Sequence, residues 1–188
     1  MWRLLLFISA LCLAAALIAR WFFGMRVLAD EGKRACRCDL ATWMPLADDS
    51  AVLHRAEDSA AEFGRQLRAK ALAEWRDSDP KAAAARENSR RFGMAVPPLS
   101  GLVAVFAVLV AKIPVMGGIS VLLAATALAS VLGVLSLAPE LAAITREAKK
   151  LRTAKNFPRR DDEDAVIRCA VAHAWKETLP PILGLLQR

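Results

Sequence analysis

Tyrosine is absent from the chain, and histidine occurs only twice, at His54 and His173. So thin a supply of imidazole excludes a site built on several histidines. Neither residue belongs to a His-Glu-x-x-His helix, which would hold zinc between two imidazoles on one face and supply a general base. Cysteine is equally sparse. Cys12 and Cys169 stand alone, and Cys36-Arg37-Cys38 is too closely spaced, with no second pair, for a structural zinc site or a disulfide framework. No glycine-rich phosphate loop, internal repeat or low-complexity tract is present. No alternating apolar and polar run is long enough for a sheet, and the abundant alanine and leucine favour helices.

Charge is missing from whole stretches. Between Phe92 and Pro139 the only charged residue is Lys112. A bilayer core needs about 20 apolar residues per helical span, and each arm beside Lys112 is long enough. Lys112, Pro114, Gly117 and Gly118 mark the turn between the arms, so 92–139 is expected to be a transmembrane hairpin. A third apolar run, Leu4 to Phe23, opens the chain and ends in Arg20-Trp21-Phe22-Phe23, the cluster expected where a helix meets lipid headgroups. A cleaved signal peptide is the rival for residues 1–23. Against it, Arg20, Arg26, Lys33, Arg34 and Arg37 lie at its end or just beyond and would all have to cross the membrane, whereas only Arg3 precedes the span.

Positive charge stays on the cytoplasmic side, which orients the spans. Arg86, Arg90 and Arg91 precede the hairpin, and Arg146, Lys149, Lys150 and Arg152 follow it. The expectation is an all-α, multi-pass protein of the plasma (inner) membrane, with the N-terminus outside and the C-terminus cytoplasmic. Its parts are an N-terminal span (1–23), a cytoplasmic helical segment (24–91), the hairpin (92–139) and cytoplasmic or interfacial helices (140–188). The net charge of +7 suits a surface beside anionic lipid and requires no nucleic acid. Roughly a third of the chain lies in lipid, so the rest is too small for a conventional enzyme core.

Inside segment 24–91, Val52, Ala56, Ala60, Phe63, Leu67, Ala71 and Trp75 recur about every four residues, as one side of a helix starting near Asp48-Asp49-Ser50. Phe63, Leu67 and Trp75 are the candidate partner-binding residues, for a protein partner or a second copy of the chain. Asp77-Ser78-Asp79-Pro80 ends that helix and caps another, from Pro80 to Phe92. Beyond the hairpin, Pro139 and Glu140 open a helix reaching about Lys155. Asp161, Asp162, Glu163 and Asp164 cap a final one, without the spaced ligands of a calcium loop.

From Arg86 onward the chain resembles the bacterial membrane-embedded neutral zinc metallopeptidases. The resemblance rests on Leu135-Ser136-Leu137-Ala138-Pro139-Glu140-Leu141-Ala142-Ala143-Ile144-Thr145-Arg146, on the run from Glu163 to Arg188, and on the place of the first span. It implies that Glu140 stands where the family has a glutamate that helps bind zinc, and that Arg146 falls on a family arginine. Ala142 replaces an acidic residue of the family pattern, and the His-Glu-x-x-His motif is missing. The resemblance thus implies a scaffold whose catalytic centre is lost: an accessory membrane subunit with no catalytic residues and no cofactor. The alternative is a divergent zinc metallopeptidase with His54, Glu57, Glu140 and His173 as improvised ligands.

Overall fold

The computed structural model describes residues 1–38 and 57–179, and these are mostly helical. In chain order they form α1 (Trp2–Arg20), a π-helical turn (Trp21–Met25), α2 (Arg26–Asp30), β1 (Ala35–Arg37), β2 (Glu57–Ser59), α3 (Ala60–Ser78), α4 (Pro80–Leu109), α5 (Val115–Leu135), α6 (Leu137–Ala154) and α7 (Arg160–Lys176). They group into two compact units. One comprises 1–20, 84–138 and 177–188, the other 21–83 and 139–176. His54, Val52, Ala56 and the proposed helix start at Asp48–Ser50 lie outside the described residues.

The first unit holds the apolar helices. Three helical stretches, beginning at Trp2, Pro80 and Val115, are long and apolar enough to cross a membrane. At 1.5 Å per residue α1 and α5 reach roughly 30 Å, the thickness of the hydrocarbon core. α4 is longer, at 30 residues, because its first turns carry the polar run from Lys81 to Arg91. It continues unbroken through Phe92, where the sequence suggested a boundary. Pro97 and Pro98 lie within it; each lacks an N–H and removes one bond of the helical ladder. The Ser100 hydroxyl donates to the Pro97 carbonyl at 2.8 Å.

Small residues decide how these helices meet. α5 buries Gly117, Gly118, Ser120, Thr126, Ala127, Ala129, Ser130 and Gly133, the composition by which helices approach closely in lipid. A Cβ on Gly117 would meet the Trp2 ring at 3.3 Å, and one on Gly118 would meet Val108 at 2.9 Å. These two glycines are therefore packing positions inside a helix, a correction to their expected place in the turn. The reversal occupies 110–114 instead, with Ala111 in the left-handed region (φ 54°) and the Lys112 N–H donating to the Ala107 carbonyl at 2.9 Å. Leu13, Ala16, Ala127 and Leu179 form an apolar cluster. Arg86 closes the C-terminal end of α5, donating to the Gly133 carbonyl (2.9 Å) and the Ser136 hydroxyl (2.8 Å). The outward side chains of α1 and α4, among them Leu4, Phe7, Leu102, Phe106 and Leu109, are exposed, as a lipid-facing surface requires.

The second unit has a core of its own. α3 lies against α7 at Gly64, where a Cβ would come within 2.7 Å of Cys169 Cβ and 2.8 Å of the Ala170 N, so no side chain fits. Beside that contact Ala60, Phe63, Leu67, Ala71 and Trp75 are buried, and the Phe63 ring meets Phe157 edge to face at 5.5 Å. The π-helical turn brings Gly24 to α7 and stacks Phe23 on Trp175 at 5.2 Å. Two short strands pair antiparallel, Cys36 opposite Asp58. They were not foreseen, and Glu57–Ser59 being a strand means that no single helix runs from Val52 to Trp75. The start of α3 is an N-cap that the sequence does contain, in Ser59-Ala60-Ala61-Glu62: Ser59 Oγ accepts from the Glu62 N–H at 3.2 Å, while the Ser59 N–H donates to Asp58 Oδ1 at 2.7 Å. Asp79 caps α4 as expected, accepting from the Ala82 N–H at 3.1 Å ahead of Pro80.

The four acids at the start of α7, Asp161 to Asp164, do more than favour its dipole. Arg34 reaches Asp162 at 2.8 Å, and Arg152 pairs with Asp164 at 2.8 Å and Glu163 at 3.5 Å. They join α6 and the residue preceding β1 to α7.

Candidate functional site

α3 and α6 face one another through a ladder of opposite charges. On α3, Arg68, Ala71, Glu74, Trp75 and Ser78 recur at helical spacing, and on α6 so do Glu140, Ala143, Glu147 and Lys150. Ala71 and Ala143 are both buried and have no side chain beyond Cβ, so longer neighbours close around an empty space. The result is a cleft of about 280 Å³ lined by Ala71, Glu74, Trp75, Ser78, Ala143, Arg146, Glu147 and Lys150.

Beside the cleft, Arg68 Nε donates to Glu140 Oε1 at 2.8 Å, with both side chains nearly withdrawn from solvent. In the cleft, Glu147 is 3 % exposed; its Oε1 lies 2.6 Å from Lys150 Nζ and its Oε2 lies 3.8 Å from Lys70 Nζ. Lys150 also bonds Glu74. Hydrogen bonding with Glu147 and then with Lys150 holds the Glu74 carboxyl below its ordinary range, while Glu147 and Glu74 together raise the Lys150 ammonium. Glu74 therefore adds stability above the usual carboxylate range that is lost as pH falls through its depressed value. Lys150 adds stability at neutral pH that is lost as pH rises through its raised one. Both are largely exposed, so water screens these contributions. Arg146, exposed at the cleft, makes no ion pair among the described residues.

The improvised zinc ligands do not come together. Glu57 is an exposed strand residue 3.4 Å from Arg37, His173 on α7 has Nε2 3.0 Å from the Ala61 carbonyl, and His54 lies outside the described residues. Among the described residues no three His, Cys, Asp or Glu side chains are grouped to hold a metal ion. Glu140 does not fit zinc, because the Arg68 guanidinium already neutralises its carboxylate and would repel a second cation. Nor is Glu140 simply a helix-start acid, since its partner is a side chain of another helix. Phe63, Leu67 and Trp75 are at most 3 % exposed. They pack within the chain's own core and are not an open surface for a partner, a correction that follows from α7 covering the stripe.

Two thiols border this core. Burial first, then the charges of Asp162 at Cys36 and of Glu31 at Cys169, push both up to about 11. They stay protonated and inert at neutral pH. A maleimide should leave Cys36 and Cys169 unmodified in the folded protein at pH 7 and label both in denaturant, as peptide mass mapping would show. Because the folded values lie above the unfolded value of 9.0, stability should decline between pH about 9 and about 11, where only the unfolded thiols ionise.

No protein-family model, no curated protein and no solved structure matches the chain.

Proposed function

We propose that this chain is a membrane-anchored, non-catalytic scaffold or accessory subunit. Its polar unit holds a partner protein at the cytoplasmic face of the inner membrane through the α3–α6 cleft. The observation that carries this reading is the cleft itself, an open space of about 280 Å³ with Arg146, Glu74 and Lys150 exposed at it. The apolar stripe of α3, from Ala60 to Trp75, is consumed internally, while Trp21, Phe22 and Phe23 of the same unit stay about half exposed; the polar cleft is a recessed surface suited to recognition.

The side of the membrane is argued in two steps. Segments 21–83 and 139–176 build one compact unit, which supports a topology in which both emerge on one side of the bilayer. The basic residues flanking the spans then favour the cytoplasm. A cysteine placed at Lys112 should be labelled from outside intact cells by an impermeant maleimide, and one at Asp77 only after lysis. The reverse pattern would invert the topology.

Partner binding is tested by a photo-crosslinking residue at Arg146 in native membranes. A discrete adduct there, missing when the probe stands at Arg168 on α7, is the expected result. No adduct at Arg146 would remove the cleft from the function.

A further inference from the structure

The cleft between α3 and α6 holds a feature that its structural role leaves unexplained. Glu147 is nine-tenths or more buried, and its Oε1 is met at 2.6 Å by Lys150 Nζ, whose own side chain is 60 % exposed. A buried carboxylate oxygen without a donor would be costly, so this one must always face a cation or another donor. A second carboxylate, Glu74, lies beside it, and Trp75 contributes to the same lining. Two carboxylates next to an aromatic ring make an environment for an organic cation.

Lys150 now occupies that environment, reaching both carboxylates from the next turn of α6. Its side chain is 60 % exposed, so its pair with the half-exposed Glu74 adds little net stability. Glu147, 3 % exposed, cannot follow it to solvent, so Lys150 leaves only in exchange for another cation. The cation is exchangeable and the anion is fixed. The unpaired Arg146 is the other charge lining the space, and Lys70 stands behind it at 3.8 Å from Glu147 Oε2.

We propose that the cleft is a receptor for a basic side chain of the partner, a lysine ammonium or an arginine guanidinium, with Lys150 as the placeholder that the incoming group displaces. This rests on the scaffold reading given above. A chain of net charge +7 repels cations in general, so attraction of a basic group must come from a local arrangement such as Glu74 and Glu147.

The test uses the full chain in nanodiscs of zwitterionic phosphatidylcholine, titrated with N-acetyl-lysine amide, N-acetyl-arginine amide, the uncharged N-acetyl-norleucine amide and N-acetyl-glutamate amide. Ligand-observed NMR reads the binding. The two basic probes should bind saturably and the other two should not. Lys150→Ala, which removes the competing ammonium, should tighten the basic probes by about tenfold. Glu74→Gln, at a half-exposed position where folding is not at stake, should weaken them by at least about tenfold, the scale of one charge-assisted hydrogen bond. Equal binding of norleucine amide, preference for glutamate amide, or weaker binding after Lys150→Ala would each overturn the proposal. If adducts persist at Arg146 while the basic probes fail to bind, the scaffold reading stands and the basic-side-chain receptor falls. If the probes bind as stated and no adduct forms, the receptor stands and the protein partner falls.

Discussion

Arg68→Ala is expected to destabilise the polar unit by about 3–5 kcal/mol, because it removes the guanidinium that faces a carboxylate held inside the protein. Glu140 is 1 % exposed and accepts from Arg68 at 2.8 Å, across the contact that joins segment 21–83 to segment 139–176. The pair as a whole is worth far less than the penalty for breaking it. Desolvating two ions costs nearly what their attraction returns, and apolar replacement of both partners is often neutral or stabilising. The double variant Arg68→Met, Glu140→Leu should therefore recover most of the loss. Urea unfolding of the full chain in detergent, followed by tryptophan fluorescence, measures all three. A loss below about 1 kcal/mol for Arg68→Ala would mean that Glu140 reaches another cation or water. It would then behave as the sequence suggests, as an acid at a helix start.

Phe63→Ala should cost a comparable amount, about 3–5 kcal/mol, from the lost burial of a ring and the cavity left behind. Phe63 is fully buried between α3 and α7, and its edge-to-face contact with Phe157 adds to the loss. The effect should appear in the unfolding midpoint. Crosslinking at Arg146 should persist at temperatures where the variant is still folded, because the cleft lies further along α3, from Ala71 to Ser78, two or more turns beyond Phe63. Lost crosslinking with an unchanged midpoint would return Phe63 to the role of partner contact that its place on an apolar stripe first suggested. The neighbouring Gly64 sharpens the distinction, since only a helix pressed against α7 forbids a Cβ at that position.

Much of the membrane unit was legible in one dimension. Span length, the single charge at Lys112 and the basic flanks are local properties, and transfer of an apolar segment into lipid depends on its composition more than on its partners. The cap at Asp79-Pro80 and the end of α6 at Asn156-Phe157-Pro158 could be read for the same reason, because a missing N–H or a capping oxygen acts within one turn. Gly117 and Gly118 were misplaced. A glycine pair beside a proline reads as a turn, and nothing local reveals that Trp2 and Val108 need its empty space. The strand at Glu57–Ser59 was missed because three residues carry no periodicity, although Ser59-Ala60-Ala61-Glu62 held the true start of α3.

The sequence by itself determined a helical chain with three segments able to cross a bilayer and a basic polar remainder. Each of those statements is a sum over neighbouring residues. Only the tertiary structure decided that the two polar segments form one unit, that Phe63, Leu67 and Trp75 face inward, and that Glu140 belongs to Arg68. It also decided that Glu74, Glu147 and Lys150 share a cleft. These are long-range pairings between residues more than seventy positions apart, as from Arg68 to Glu140 or Glu74 to Lys150. A carboxylate's chemistry is set by the cation that packing brings to it, and no pattern along the chain encodes that neighbour.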